Sequence, residues 1–119
     1  MANLITVFQG DILTGTVSLR TIDQSNPDNQ NPFPIPVGAT ITMFFPGTTS
    51  SVQITSGAGE VNVTNATLGD LSYTVSPAKT AQLKLGKQQA IDVVVTDASG
   101  NPTTFEIPST LTVVTRANP

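Results

Sequence analysis

Carboxylates are the side chains of this 119-residue chain that could carry acid–base chemistry, because it contains no histidine and no cysteine. Without imidazole or thiolate groups, nucleophilic triads, zinc sites of the usual kind and disulfides are excluded. Most of the acids lie in turn-rich stretches, where Asp hydrogen-bonds its own backbone. We therefore predict a protein that is not an enzyme, with no catalytic residue and no cofactor. The acids are Asp11, Asp23, Asp28, Glu60, Asp70, Asp92, Asp97 and Glu106.

Two acidic stretches have the oxygen-rich composition that Ca²⁺ prefers. One joins Asp23 and Asp28 to neighbouring Asn residues, and the other joins Asp97 to Asn101. Neither repeats acids at a fixed alternate spacing, so turn formation is the preferred interpretation and no metal ligand is assigned. Ligand binding by the segment 23–36 is left open.

The charge of the chain limits its partners. Only 11% of the residues are charged and the formal net charge is −3, against about 25% charged residues in an average soluble domain. Without a basic excess we expect no nucleic-acid partner. No apolar run approaches the roughly 20 residues that span a bilayer. The start, Met1–Thr6, lacks the features of a secretory signal, so we expect synthesis in a cytoplasm.

The elements that must position these side chains are predicted to be strands. Thr, Val and Ile make up 39 of the 119 residues, and β-branched side chains pack well on a pleated surface. Nine Gly and nine Pro punctuate the chain at short intervals, as in all-β proteins. We predict a single domain over residues 1–119, an all-β, immunoglobulin-like two-sheet antiparallel sandwich. The predicted strands are 4–8, 14–22, 39–45, 51–55, 60–64, 69–75, 88–96, 103–107 and 111–115.

Three connections stand out in the sequence. Asp23–Pro36 contains four prolines and three asparagines, so it is predicted to be a loop. Ser56–Gly59 (SGAG) is predicted to be a hairpin turn between two short strands. Ser76–Gly86 carries the one helical signal, with Ser76 as N-cap, proline at the first helical position and Gly86 past the end, which predicts a short helical turn near residues 77–85.

One strand exposes an aromatic residue. If Ile41, Met43 and Phe45 face the core, then Phe44 must point outward, because neighbouring strand residues face opposite sides. One interpretation is that Phe33, in the proline-rich loop, covers Phe44. The other is that Phe44, Phe33 and Pro34 form a contact patch for another protein. The few charges on this surface favour a subunit that its neighbours cover.

The order of the motifs resembles a known class of domain. Gln9-Gly10-Asp11 precedes an alternating strand, followed by Gly38-Ala39-Thr40-Ile41, by Thr80-Ala81-Gln82-Leu83 with Gly86, and by Asp97-Ala98-Ser99-Gly100. This series is similar to the small immunoglobulin-like β-sandwich domains of tailed-bacteriophage virion proteins, such as the N-terminal domain of baseplate upper proteins. The resemblance extends from about Gln9 to Val114.

The resemblance implies a structural role in a virion without catalysis. The expected function is that of a capsid decoration, tail or baseplate subunit that docks onto other virion proteins, as a homo-oligomer or in multiple copies. Phe33, Pro34 and Phe44 are the interface candidates, with the terminal segments Leu4–Phe8 and Leu111–Thr115 if either is an open edge. The alternative is a surface module that binds carbohydrate or a receptor.

Overall fold

The structure, a computed structural model, describes residues 5–23, 26–88, 90–108 and 111–115. These ranges form an immunoglobulin-like β-sandwich with one short helix in the described part, which confirms the predicted fold class. The strands are β1 (Ile5–Phe8), β2 (Leu13–Ser18), β3 (Arg20–Asp23), β4 (Asn26–Pro32), β5 (Thr40–Phe45), β6 (Val52–Thr55), β7 (Val61–Asn65), β8 (Asp70–Val75), β9 (Gly86–Lys87), β10 (Ala90–Thr96), β11 (Pro102–Pro108) and β12 (Leu111–Val114); the helix is α1 (Pro77–Thr80).

Two sheets form the layers of the sandwich. One has the order β11-β10-β5-β6, and the other has the order β2-β8-β7, with every pairing antiparallel. In immunoglobulin lettering these orders read G-F-C-C′ and B-E-D. The hairpin β3–β4 is inserted between strands B and C.

The core lies between the two layers and is built by the predicted alternation. Ile41, Met43 and Phe45 on β5 are fully buried, and Leu71 and Val75 on β8 face them from the other sheet. Phe45 and Tyr73 meet across the layers, with ring centroids 5.7 Å apart. One continuous hydrophobic cluster joins the inner faces of both sheets.

A third, smaller sheet has the order β1-β12-β9. Its strand β1 runs parallel to β12, with Val7 level with Val113 and Phe8 level with Val114. Val7 and Val113 are buried. Among the described strands, β1 therefore lies at an edge of this sheet, whereas β12 has a partner on each side.

The prediction that Asp23–Pro36 is a loop was wrong for part of that segment. Strand β4 pairs with β3 across Arg20–Pro32 and Thr21–Asn31, with a register shift between Ile22 and Asp23. Proline is compatible with strand structure at an edge, where its missing N–H is not needed by a neighbour. In this two-stranded hairpin both strands are edges, so the prolines do not prevent pairing. Residues 24–25, between β3 and β4 in the chain, lie outside the described residues.

The helix is shorter than the helical pattern of Ser76–Gly86. It ends at Thr80, and Ser76 precedes it without a side-chain cap hydrogen bond, although proline does occupy the first turn. Leu83 leaves the helix to form an isolated bridge with Gly47 and is fully buried. Gly86 adopts a positive φ of 101° as it enters β9. Burial of Leu83 against the core thus outweighs continuation of the helix.

The turn at 56–59 does not join two paired strands. Glu60 N–H donates to Thr55 O at 3.1 Å, which closes the turn, but β6 pairs with β5 and β7 pairs with β8. The turn therefore carries the chain from one layer to the other. Val61 pairs with Tyr73, which places β7 in the second sheet.

Candidate docking face

The outer face of the β11-β10-β5-β6 sheet carries Phe44, and we call it the Phe44 face. Cross-strand register places Phe44 between Asp92 and Gln53, with Glu106 beyond Asp92. Residues directly opposite each other share a face of the sheet, so these four side chains form one row. The next row along the strands is Thr104, Val94, Thr42 and Thr55.

Phe44 is half-buried on this face, as Val94 is. The outward direction predicted for Phe44 is confirmed, since Met43 and Phe45 on either side are fully buried in the core. A shallow depression of about 370 Å³ lies beside the Phe44 ring. Its lining is formed by Phe44, Phe45, Pro46, Ser51, Ala90 and Asp92.

Phe33 does not cover Phe44. Its ring packs edge-on against Phe105, with centroids 4.8 Å apart and an interplanar angle of 64°. Phe105 pairs with Val93, whose side chain is buried on the inner face of the sheet. Phe33 and Phe44 therefore lie on opposite faces of the β11-β10-β5-β6 sheet, and the structure does not bring them together in one patch.

Pro34 lies next to Phe33 in a segment that is held against the core. Phe33 N–H donates to Leu19 O at 3.0 Å, and Ile35 N–H donates to Ala66 O at 2.9 Å. Ile35 is buried, whereas the Pro34 side chain is exposed. Pro34 thus remains accessible but apart from Phe44.

Two further exposed apolar side chains were not identified as a pair from the sequence. Phe8 is 43% exposed on β1, and Leu85 is 50% exposed directly before β9. Phe8 is level with Val114, and Gly86, directly after Leu85, is level with Val113, so Leu85 enters the sheet next to β12. We call Phe8, Val114, Leu85 and Lys87 the Phe8 patch. The alternation of Phe8 with a core-facing Val7 was a usable signal, but the helical interpretation of residues 76–86 concealed Leu85.

Two of the acidic candidates, Asp97 and Glu60, have structural partners. Asp97 accepts hydrogen bonds at Oδ1 from the N–H groups of Asn101 and Ser99, both at 2.9 Å. The hydrogen bond from the Asn101 N–H has the largest effect and lowers the pKa of Asp97; burial opposes it, and the Ser99 N–H lowers the pKa further. These bonds explain Asp97 as a turn residue. Glu60 forms an ion pair with Lys79 at 2.7 Å.

The other calcium stretch cannot be placed in the same way, since the side chains of Asp23 and Asp28 lie outside the described residues. Within the ranges that the structure describes, no group of three or more acidic, His or Cys residues is arranged to hold a metal ion. In those same ranges no helix has the length and apolar character needed to cross a membrane.

Tyr73, the aromatic residue considered for sugar stacking, is buried. It is 7% exposed and packs on Phe45, and this burial raises the pKa of its phenol. A buried ring offers no face to a sugar, so Tyr73 gives no support to the carbohydrate-binding alternative.

No family model matches the chain, and no curated protein is significantly similar to it.

Proposed function

We propose that this chain is a non-enzymatic structural component of a bacteriophage virion, a capsid decoration, tail or baseplate subunit that acts by protein–protein docking. The motif order given above suggests the virion setting, and the Phe44 face suggests the docking surface. The observation that carries the proposal is that Phe44 lies beside a row of three threonines and Val94, while Phe33, which one of the two interpretations placed over Phe44, packs at the inner face against Phe105.

The chemistry of the Phe44 face suits docking better than solvent exposure. An outer sheet face on a free domain is usually kept apart from other proteins by Lys and Glu. Here the row beside Phe44 consists of Val94 and the threonines at 42, 55 and 104. Asp92 and Glu106 share the row of Phe44, but this neighbouring row carries no charge. Aromatic side chains beside such uncharged residues are typical of interface anchors.

The role is tested by mass spectrometry of purified phage particles, which detects the chain and counts its copies. A copy number near that of the major capsid protein would indicate decoration, and one near that of a baseplate protein would indicate the tail. Absence from the particles of a phage that expresses the chain would contradict the proposal.

The docking surface is tested with Phe44→Thr, which removes the ring and matches the neighbouring residues. Incorporation into particles should fall while circular dichroism of the purified domain stays unchanged. Val37→Thr is the matched control, because Val37 is 98% exposed and lies in the loop before β5, outside the sheet. Equal incorporation of both variants would remove Phe44 from the docking surface.

A further inference from the structure

Two exposed carboxylates on the Phe44 face lie directly opposite each other, and no described positive charge pairs with either of them. Asp92 on β10 pairs in register with Glu106 on β11, and both side chains are exposed. In the described part of the chain, neither carboxylate makes a salt bridge or a side-chain hydrogen bond. Like charges directly opposite on neighbouring strands destabilise the pair. The row therefore presents two negative charges beside the Phe44 ring.

The Phe8 patch has the opposite charge. Lys87 is level with Thr112 on β12, one row from Phe8 and Val114, and Lys84 lies just before Leu85. Both lysines are exposed. The other described cations are engaged, since Lys79 pairs with Glu60 and Arg20 donates to the carbonyl oxygen of Leu68. Among the described side chains, the two cations with neither an ion pair nor a hydrogen bond, Lys84 and Lys87, thus flank Leu85 and Gly86 in the chain.

We propose that the Phe44 face of one copy of this chain binds the Phe8 patch of a second copy. Each surface combines an exposed or half-buried aromatic residue with two charges, and the signs are opposite: Asp92 and Glu106 against Lys84 and Lys87. Each copy has a net charge of −3, so two copies repel each other in other orientations. Electrostatics therefore favours the contact between these two surfaces. The inference rests on the docking role proposed for the Phe44 face and names its partner.

Contact between two different patches has a consequence for assembly. Such a heterologous contact leaves one free patch of each kind on every pair, so further copies can add until a ring closes or a filament grows. Repeated copies in a ring or tube fit the proposed role in a virion.

The test is sedimentation velocity of the full chain at low and high salt. Wild-type protein should associate at low salt and dissociate as salt screens the charges. Asp92→Lys/Glu106→Lys and Lys84→Glu/Lys87→Glu should each weaken association about tenfold or more. An equimolar mixture of the two variants should associate again, because their charges complement each other. Asn62→Lys/Thr64→Lys, on the exposed side of β7, is the control and should leave association unchanged.

Three results would overturn the inference. Wild-type protein that stays monomeric at high concentration and low salt would exclude the second copy as partner. Association that survives both charge reversals would exclude these patches, and failure of the mixture to associate would exclude their pairing with each other. If wild-type protein stays monomeric but Phe44→Thr still lowers incorporation into particles, the docking role stands and its partner is a different protein.

Discussion

The ring of Tyr73 lies over Gly15, its direct cross-strand partner, so closely that a Cβ at position 15 would overlap the phenol. An aromatic ring thus covers the exposed backbone of a strand glycine, an arrangement that fixes the register of β2 against β8. The same ring contacts Phe45 in the opposite sheet. Gly15 therefore determines how close the ring of Tyr73 can lie to β2.

Gly15→Ala should destabilise the domain by about 1–3 kcal/mol, because the added methyl group overpacks a ring that is held between two sheets. Urea unfolding followed by circular dichroism measures the change. Gly57→Ala is the control, since the nearest atom to its Cβ would lie 4.0 Å away and the change should be small. Equal effects of the two substitutions would show that backbone propensity, and not the Tyr73 ring, is responsible.

Thr80→Val should destabilise the domain by about 1–3 kcal/mol, the usual effect of removing buried hydrogen bonds. Thr80 is fully buried, and its Oγ1 donates to Asp11 O at 2.6 Å and accepts from Gly10 N–H at 3.1 Å. These bonds join α1 to the turn that follows β1. Thermal unfolding measures the loss, and Thr74→Val, on the exposed side of β8, should change little. Unchanged stability of Thr80→Val would show that the hydroxyl is dispensable.

Asp97 should make the domain sensitive to acid. Hydrogen bonds from the backbone of Asn101 and Ser99 lower its pKa in the folded state, so it stabilises the fold above its ordinary pKa near 3.8 and this contribution is lost as the pH falls through the lower folded value. Asp97→Asn should be less stable than wild type at neutral pH, and the difference should disappear on acidification. Urea unfolding across this pH range measures it, and a difference that is constant with pH would contradict the assignment.

Tyr73 should make the domain sensitive to base. Burial raises its pKa above the ordinary value of 10.0, so the neutral phenol stabilises the fold below pH 10.0 and that stability is lost as the pH rises through the folded value. Tyr73 is the only tyrosine, so tyrosinate absorbance reports its ionisation directly. The pH midpoint of tyrosine ionisation should be higher for the folded protein in buffer than for the protein unfolded in urea. The stability of Tyr73→Phe should fall less than that of wild type as the pH is raised. Equal midpoints would contradict the prediction.

The parts of the fold that local pattern determines were predictable from the sequence. Period-two alternation identified the buried sides of β5, β8 and β10, because each of these strands has one face toward the core and one toward the outside of the sandwich. The same rule gave the outward direction of Phe44. The turn at Asp97 followed from the tendency of Asp to bond nearby backbone.

The parts that depend on contacts between distant residues were not predictable. Phe33 packs on Phe105 across a long separation in the chain, and nothing local to Phe33 distinguishes that partner from Phe44. Strand β4 forms because a hairpin edge tolerates proline, which composition alone does not show. Leu85 was assigned to a helix that ends earlier, because Leu83 turns into the core.

The parallel pairing of β1 with β12 determines how the domain responds to tension. Pulling residues 5 and 115 apart draws the two strands in opposite directions along their length, since Ile5 is level with Leu111 and both strands run the same way. All four residue pairs of this ladder then bear the load in shear, and none can unzip before the others. Linked in series through these positions, such domains would form a chain that resists stretching.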